Sequence, residues 1–205
     1  MAHIKLKYGA GEQLITYEEL ESKRIDFWDE DNISLSLFPY KPIRSAYEDA
    51  PSHFLRSFKR SDQDAVPMAG AHVCQSLVPF VDEWRERFNI KIIVPVPSHT
   101  AYRVAPSSKD ICRLVARVFK LSYSENLLFR TETVIPAHMS YFGRRLSMPE
   151  HFQTLACKTN ADLEGAGIVL FDDLRTTGHT SQACKRRLRE RNCGEVVRLF
   201  LGRTL

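Results

Sequence analysis

The segment at residues 168–201 constrains the fold of this chain more than any other. An apolar run at residues 168–171 is followed by a polar turn, a helical pattern over residues 180–192 and a second apolar run at residues 196–201. This order predicts a βαβ unit, whose two strands are parallel. We therefore expect an α/β fold with a mainly parallel central sheet flanked by helices. Ligands of such sheets bind at the carboxyl ends of the strands, so we expect the site directly after residue 171.

Four further segments extend this architecture. The run at residues 35–38 predicts a short strand or extended arm, and the β-branched run at residues 91–97 predicts a buried strand that ends at its prolines. Apolar residues recur at helical spacing over residues 73–88, where Pro79 predicts a kink or a break in the helix. Residues 130–152 carry two prolines, a glycine and little periodicity, which predicts a long loop.

Length and composition favour one domain. A chain of 205 residues of which 43% are hydrophobic can bury one substantial core. We predict an N-terminal extension over residues 1–34 and the main domain over residues 35–205. The formal net charge of +4 comes from basic residues that are spread along the chain, so a nucleic-acid partner is compatible with the sequence but not required by it.

The cysteines and the apolar segments bear on location. The five cysteines never approach CxxC spacing, which is typical of reduced thiols and argues against a zinc ribbon. No stretch has the pattern of a signal peptide or the ~18 consecutive apolar residues of a membrane span. We expect a soluble, cytoplasmic protein without a membrane partner, and a homodimer or a complex with a partner protein is compatible with the sequence.

An acidic pair and a hydroxyl-rich turn follow the strand predicted at residues 168–171. Asp172 and Asp173 come first, and because an ionised carboxylate only accepts hydrogen bonds, the pair suits the two hydroxyl groups of a ribose. The turn that opens the next helix consists of Thr176, Thr177, Gly178, His179 and Thr180. Free backbone N–H groups and the helix dipole attract an anion at such a turn, which Gly178 lets approach closely. The order predicts a ribose site followed by a phosphate site, and a capped turn with a chance acidic pair is the alternative.

This arrangement resembles the 5-phosphoribosyl-1-pyrophosphate (PRPP) signature of type I phosphoribosyltransferases, and the match extends over residues 168–180. Four shorter stretches fall in the same order as in ComF-type phosphoribosyltransferases: LFPY (37–40), FKR (58–60), VPVP (94–97) and LGRT (201–204). The resemblance covers the chain from about residue 35 to its C-terminus. Residues before 35 hold no cysteine, so the zinc-binding segment of many family members is missing and any nucleic-acid role attached to it is in doubt.

The resemblance implies a type I phosphoribosyltransferase fold and a set of roles. Asp172 and Asp173 would hold the ribose as the catalytic pair, and Mg²⁺ would bind with PRPP, with these two carboxylates as further ligands. The loop after Pro97 would contact pyrophosphate through Ser98, His99, Thr100 and Arg103. A mobile hood would cover the site with Arg130, His138, Arg144 and Arg145. Ordinary solvated loops are the alternative for both sets, and the basic stretch that the family has after Pro97 is replaced here by residues 98–109.

The implied reaction transfers the phosphoribosyl group to an unknown base or amine and releases pyrophosphate. Thr176 stands where purine salvage relatives carry an aspartate base, which disfavours hypoxanthine or guanine as the acceptor. His138 and His179 have side chains suited to acid–base work but are as readily explained as polar surface. A non-catalytic PRPP-sensing or adaptor protein in DNA uptake, nucleotide regulation or defence is the alternative function. Basic residues at 185–191 leave nucleic-acid binding as a third interpretation.

Overall fold

The central element is a six-stranded sheet, seen in a computed structural model that describes residues 3–8, 11–41, 49–135, 146–158 and 163–205. Its strands, in spatial order, are β3 (Phe27–Asp29), β4 (Ser34–Tyr40), β10 (Val196–Thr204), β9 (Gly167–Arg175), β5 (Ile90–Pro95) and β6 (Ser122–Tyr123). All neighbours are parallel except β3, which pairs antiparallel with β4. The predicted α/β fold with a mainly parallel sheet is confirmed.

Six helices and two antiparallel strand pairs complete the described part of the chain. The helices are α1 (Tyr17–Glu21), α2 (Ala50–Lys59), α3 (Ala65–Phe88), α4 (Pro106–Val118), α5 (Met148–Gln153) and α6 (His179–Arg189). The strand pairs are β1 (His3–Tyr8) with β2 (Gly11–Thr16), and β7 (Leu128–Arg130) with β8 (Leu155–Cys157). No helix in the described ranges is long and apolar enough to cross a bilayer.

Two hydrophobic layers cover the two faces of the sheet, because successive strand residues point to opposite sides. Val169 and Phe171 of β9 pack into the larger layer, together with helices α2, α3 and α4. Ile168 and Leu170 face the other way and pack with α6 and the β7–β8 pair. The carboxyl ends of β5, β9 and β10 therefore meet at one edge, between helices that belong to different faces.

Residues of the predicted N-terminal extension contact the main sheet. β3 adds an edge strand to β4, and the side chains of Ile15 and Leu20 are fully buried in the larger layer. Thr16 caps α1 by accepting a hydrogen bond from the Glu19 N–H at 3.0 Å. The boundary at residue 35 stays a prediction, and the packing crosses it.

Two predictions about helices and loops are wrong in part. Pro79 does not break α3, which is continuous. Because proline has no N–H, the carbonyl of Gln75 lacks its helical donor. Gln75 and Pro79 are both exposed, so water can donate a hydrogen bond to that carbonyl. The loop predicted over residues 130–152 contains structure at both ends, since Arg130 is the last residue of β7 and α5 begins at Met148.

Candidate functional site

The candidate site is built at the carboxyl end of β9. Backbone pairing continues past the apolar core, because Asp172 lies opposite Phe200 of β10 and the strand ends only at Arg175. Asp172 and Asp173 are consecutive strand residues and point to opposite faces of the sheet. Asp173 faces the end of α2, where the Lys59 ammonium nitrogen lies 3.7 Å from its Oδ2. Asp172 faces α6.

The acidic pair carries an electrostatic penalty in the ligand-free protein. Withdrawal from water raises the pKa of the Asp172 carboxyl well above its ordinary value, and the negative charge of Asp173 raises it further. The Asp173 N–H, which donates to Asp172 Oδ1 at 3.0 Å, and the charge of Lys59 lower this pKa only in part. Hydroxyl donors or a cation would relieve the penalty, so this edge of the sheet is suited to bind either.

The turn between β9 and α6 presents its backbone to solvent. Gly178 has φ = 76° and ends the turn as the N-cap of α6, in the left-handed conformation that glycine adopts without strain. Thr176 and Thr177 are exposed, and no side chain caps the helix. Of the first N–H groups at the positive end of this eleven-residue helix, that of His179 makes a long contact of 3.5 Å with the Thr177 hydroxyl, and the N-cap residue offers none of them a side-chain acceptor. This is the arrangement that binds phosphate groups in other proteins.

Two arginines lie beside the same turn. Arg175 donates to Asp29 Oδ2 at 2.9 Å and to Ser34 Oγ at 3.0 Å. Arg198 is 2% exposed and donates to the Asn32 carbonyl at 2.9 Å and to Ser181 Oγ at 3.4 Å. Each has a guanidinium nitrogen 3.7 Å from the point where a Cβ on Gly178 would lie, so both add positive charge next to the turn. Neither arginine was assigned a role from the sequence, because a polar residue within a strand gives no signal that it lies beside a site.

The loop after β5 lies at the same edge. The Val96 N–H donates to the Phe171 carbonyl at 2.8 Å, which holds the start of the loop against the strand that carries the acidic pair. Ser98 and Arg103 close the loop through a backbone hydrogen bond of 2.9 Å. The predicted pyrophosphate contacts Ser98 and Thr100 are half-buried and His99 and Arg103 are exposed. Their contact with a ligand stays a prediction.

Arg130, predicted as a residue of the hood loop, is a buried residue at the end of β7 that holds the loop after β5 in place. It is 1% exposed, and its Nε donates to the Ser98 carbonyl at 3.0 Å. Its other nitrogens contact the Thr154 hydroxyl and His151 Nδ1, the latter at 3.4 Å. Burial lowers the pKa of its guanidinium, yet arginine stays charged in proteins. The remaining hood residues, His138, Arg144 and Arg145, lie outside the described residues.

α5 brings a histidine to the first turn of α6. His151 Nε2 lies 3.2 Å from Thr180 Oγ1 in the first turn of α6. Burial lowers the pKa of His151 to about 4, helped by the nearby charge of Arg130. His179 is fixed differently, with its Nδ1 3.2 Å from the Leu146 carbonyl. The Ser147-x-x-Glu150 capping box that opens α5 was a readable signal for this helix.

The basic side chains of α6 are engaged within the protein. Lys185 and Arg189 both pair with Glu195, at 2.8 and 2.6 Å. Arg187 donates to the carbonyls of Leu155 and Phe152 at 2.8 and 2.9 Å. All three side chains thus have partners within the protein, and no nucleic acid is needed to explain why they are basic.

The described residues contain no group of three or more histidine, cysteine, aspartate or glutamate side chains placed to hold a metal ion. The acidic pair offers hard oxygen ligands of the kind that Mg²⁺ prefers. A magnesium ion here would take its remaining ligands from water and from a bound phosphate compound, which is the usual way that Mg²⁺ is held with nucleotide-like ligands.

Neither a protein-family model nor a curated protein sequence matches this chain. Some solved structures are similar to it. An adenine phosphoribosyltransferase is similar with a TM-score of 0.46 and 11% identity, covering 71% of this chain and 73% of its own. Another, from Leishmania donovani, is similar with a TM-score of 0.39 and 12% identity over 84% of each chain. Both TM-scores lie below 0.5, so the function proposed next rests on the residues of the site.

Proposed function

We propose that this protein binds PRPP and transfers its phosphoribosyl group to a nitrogen acceptor, with release of pyrophosphate. The observation that carries the proposal is the position of the acidic pair near the end of β9, a few residues before α6. That helix begins after Gly178, and the N-cap residue has no side chain to cap it. One strand end thus offers two acceptors for the ribose hydroxyls and, a few residues later, a cationic turn for the 5′-phosphate. The ComF-type resemblance of the sequence has the same order.

In the proposed reaction the lone pair of the acceptor nitrogen forms a bond to the anomeric carbon, and the bond from that carbon to pyrophosphate breaks with its electrons on oxygen. Positive charge develops on the ribose ring. Asp172 and Asp173, already close to each other and short of compensating charge, would stabilise that ring. Lys59, Arg175 and Arg198 supply positive charge to the anionic ends of the donor.

Mg²⁺ bound with PRPP would neutralise the pyrophosphate leaving group, with Asp172 and Asp173 as its protein ligands. Ser98, His99, Thr100 and Arg103 are the proposed donors to pyrophosphate, since their loop is held next to the acidic pair. His138, Arg144 and Arg145 remain the proposed hood residues. The acceptor is an unidentified base or amine, and the closeness to the ComF-type family is part of this proposal.

Calorimetry with PRPP and Mg²⁺ tests the binding step. We expect the wild type to bind and the Asp172→Asn/Asp173→Asn variant to lose binding. Asp110→Asn is the matched control, because Asp110 is an exposed carboxylate on α4 that is not part of the acidic pair. Absence of wild-type binding, or equal binding by the double variant, would overturn the proposal.

A non-catalytic PRPP sensor is the second candidate, favoured by Thr176. Its exposed hydroxyl stands where purine salvage relatives have an aspartate, and a hydroxyl of ordinary pKa is a poor general base. Release of pyrophosphate in the presence of a panel of bases and amines separates the two candidates. Release above the rate of spontaneous hydrolysis identifies a transferase, whereas binding without release identifies a sensor.

A further inference from the structure

His151 lies between Arg130, which can only donate hydrogen bonds, and Thr180, a residue of the turn at 176–180 that is proposed to bind the 5′-phosphate. Its Nδ1 is 3.4 Å from an Arg130 NH2 group, and its Nε2 is 3.2 Å from Thr180 Oγ1. Because a guanidinium has no acceptor atom, Nδ1 must accept in this pair. The proton of the neutral imidazole is then on Nε2, which donates to the Thr180 oxygen.

The direction of this chain of hydrogen bonds is fixed by the surroundings of Arg130. The guanidinium is buried and held on other sides by the Ser98 carbonyl and the Thr154 hydroxyl. It cannot turn away from His151 without losing these partners in a water-poor interior. Burial and the charge of Arg130 also keep His151 neutral, since they lower its pKa to about 4.

A hydroxyl that receives a hydrogen bond on its oxygen is free to donate its own hydrogen elsewhere. Thr180 lies in the first turn of α6, at the end of the helix that presents free N–H groups. We propose that His151 is a positioning residue that fixes the Thr180 hydroxyl as a donor to the phosphate group bound at the turn. This inference rests on the proposed function and adds to it the group that orients one of its phosphate contacts.

Two substitutions at position 151 separate the proposed role from mere packing. Glutamine places an amide N–H close to the position of Nε2, whereas asparagine is too short to reach Thr180. We expect His151→Asn to weaken the binding of ribose 5-phosphate about tenfold, as for loss of one hydrogen bond to a charged group. His151→Gln should stay within about threefold of the wild type. Inorganic pyrophosphate should bind all three proteins equally, which a general structural defect would not allow.

A double-variant cycle tests whether His151 acts through Thr180. Thr180→Val should weaken ribose 5-phosphate binding as much as His151→Asn does, and the two together should be no worse than Thr180→Val alone. Additive losses, or wild-type affinity in His151→Asn, would overturn the inference while leaving the proposed function intact. A wild type that binds neither ribose 5-phosphate nor PRPP would overturn both.

The tautomer of His151 gives a measurement that does not depend on any variant folding. Nitrogen-15 NMR of the wild-type protein at neutral pH should show His151 neutral with its proton on Nε2. A proton on Nδ1 would contradict the inference, because Thr180 would then have to donate to the ring and not to a phosphate.

Discussion

Asp172→Asn is expected to stabilise the ligand-free protein while it weakens PRPP binding. The Asp172 carboxylate is withdrawn from water and lies beside the charge of Asp173, and both effects disfavour its ionised form. Asparagine has nearly the same shape as aspartate. Its side-chain oxygen can accept the hydrogen bond that the Asp173 N–H donates to Asp172 Oδ1 at 3.0 Å in the wild type. The substitution therefore removes the charge and leaves the packing and the hydrogen bond.

The size of the effect follows from the geometry of the pair. Two unit charges about 4 Å apart repel by about 4 kcal/mol if the effective dielectric constant is ~20, and the partial exposure of the pair to solvent reduces this value. Lys59 offsets little of this, because its side chain is 61% exposed and lies 3.7 Å from Asp173. We expect the free energy of unfolding to rise by about 1–2 kcal/mol and Tm by about 2–8 °C.

The pH dependence of the free energy of unfolding distinguishes an effect of charge from an effect of packing. A carboxyl group whose pKa is raised by folding stabilises the native state below its unfolded pKa of about 3.9, and this contribution is lost as the pH rises. The wild type should therefore melt below Asp172→Asn at pH 7, and the difference should shrink towards zero near pH 4. Thermal melts followed by circular dichroism measure this.

Asp110→Asn is the control for these melts, since the Asp110 side chain is 57% exposed and should change Tm little. An Asp172→Asn variant that melts below the wild type at pH 7 would refute the reasoning, as would a difference in Tm that is the same at pH 4 and pH 7.

Two further predictions concern the glycine that begins β9 and the lysine beside the acidic pair. Gly167→Ala should destabilise the protein by about 3 kcal/mol or more, because its Cβ would lie 2.1 Å from the Phe88 carbonyl oxygen. Gly165→Ala, at φ = 64° with open space around it, should cost only about 1 kcal/mol; equal denaturation midpoints would contradict this. Lys59→Met should weaken PRPP binding about threefold to tenfold and reduce its salt dependence, whereas Lys91→Met, at the opposite end of β5, should bind as the wild type does in calorimetry.

The sequence predicted the strands that consist of a run of neighbouring apolar residues. The apolar runs at residues 168–171 and 196–201 identified both strands of the βαβ unit, and the sheet is mainly parallel as predicted. The end of β9 was placed too early, at residue 171, because burial ends there while pairing with β10 continues to Arg175. Hydrophobicity reports burial, and it carries no information about a strand that stays paired after it becomes polar.

Arg130 shows why the surroundings of the site were harder to predict. An arginine at the end of a short apolar run is usually solvated, and its burial here depends on partners at residues 98, 151 and 154. None of these is close to it in sequence, so no local pattern predicts the contact. α5, in contrast, was predictable, because Ser147 and Glu150 form a capping box within four residues.

The same buried arginine holds the loop after Pro97, where the sequence departs from the ComF-type pattern that it resembles elsewhere. Arg130 holds this loop through the backbone carbonyl of Ser98, and every residue has such a carbonyl. The contact with Arg130 is therefore independent of the side chain at position 98. Two side chains of the loop also hold it, because the Ser98 hydroxyl accepts from the Thr100 N–H at 3.2 Å and Tyr102 stacks on Phe129. Substitution of the exposed loop residues His99 and Arg103 should therefore leave the contact between Arg130 and the Ser98 carbonyl intact and keep the loop beside the acidic pair.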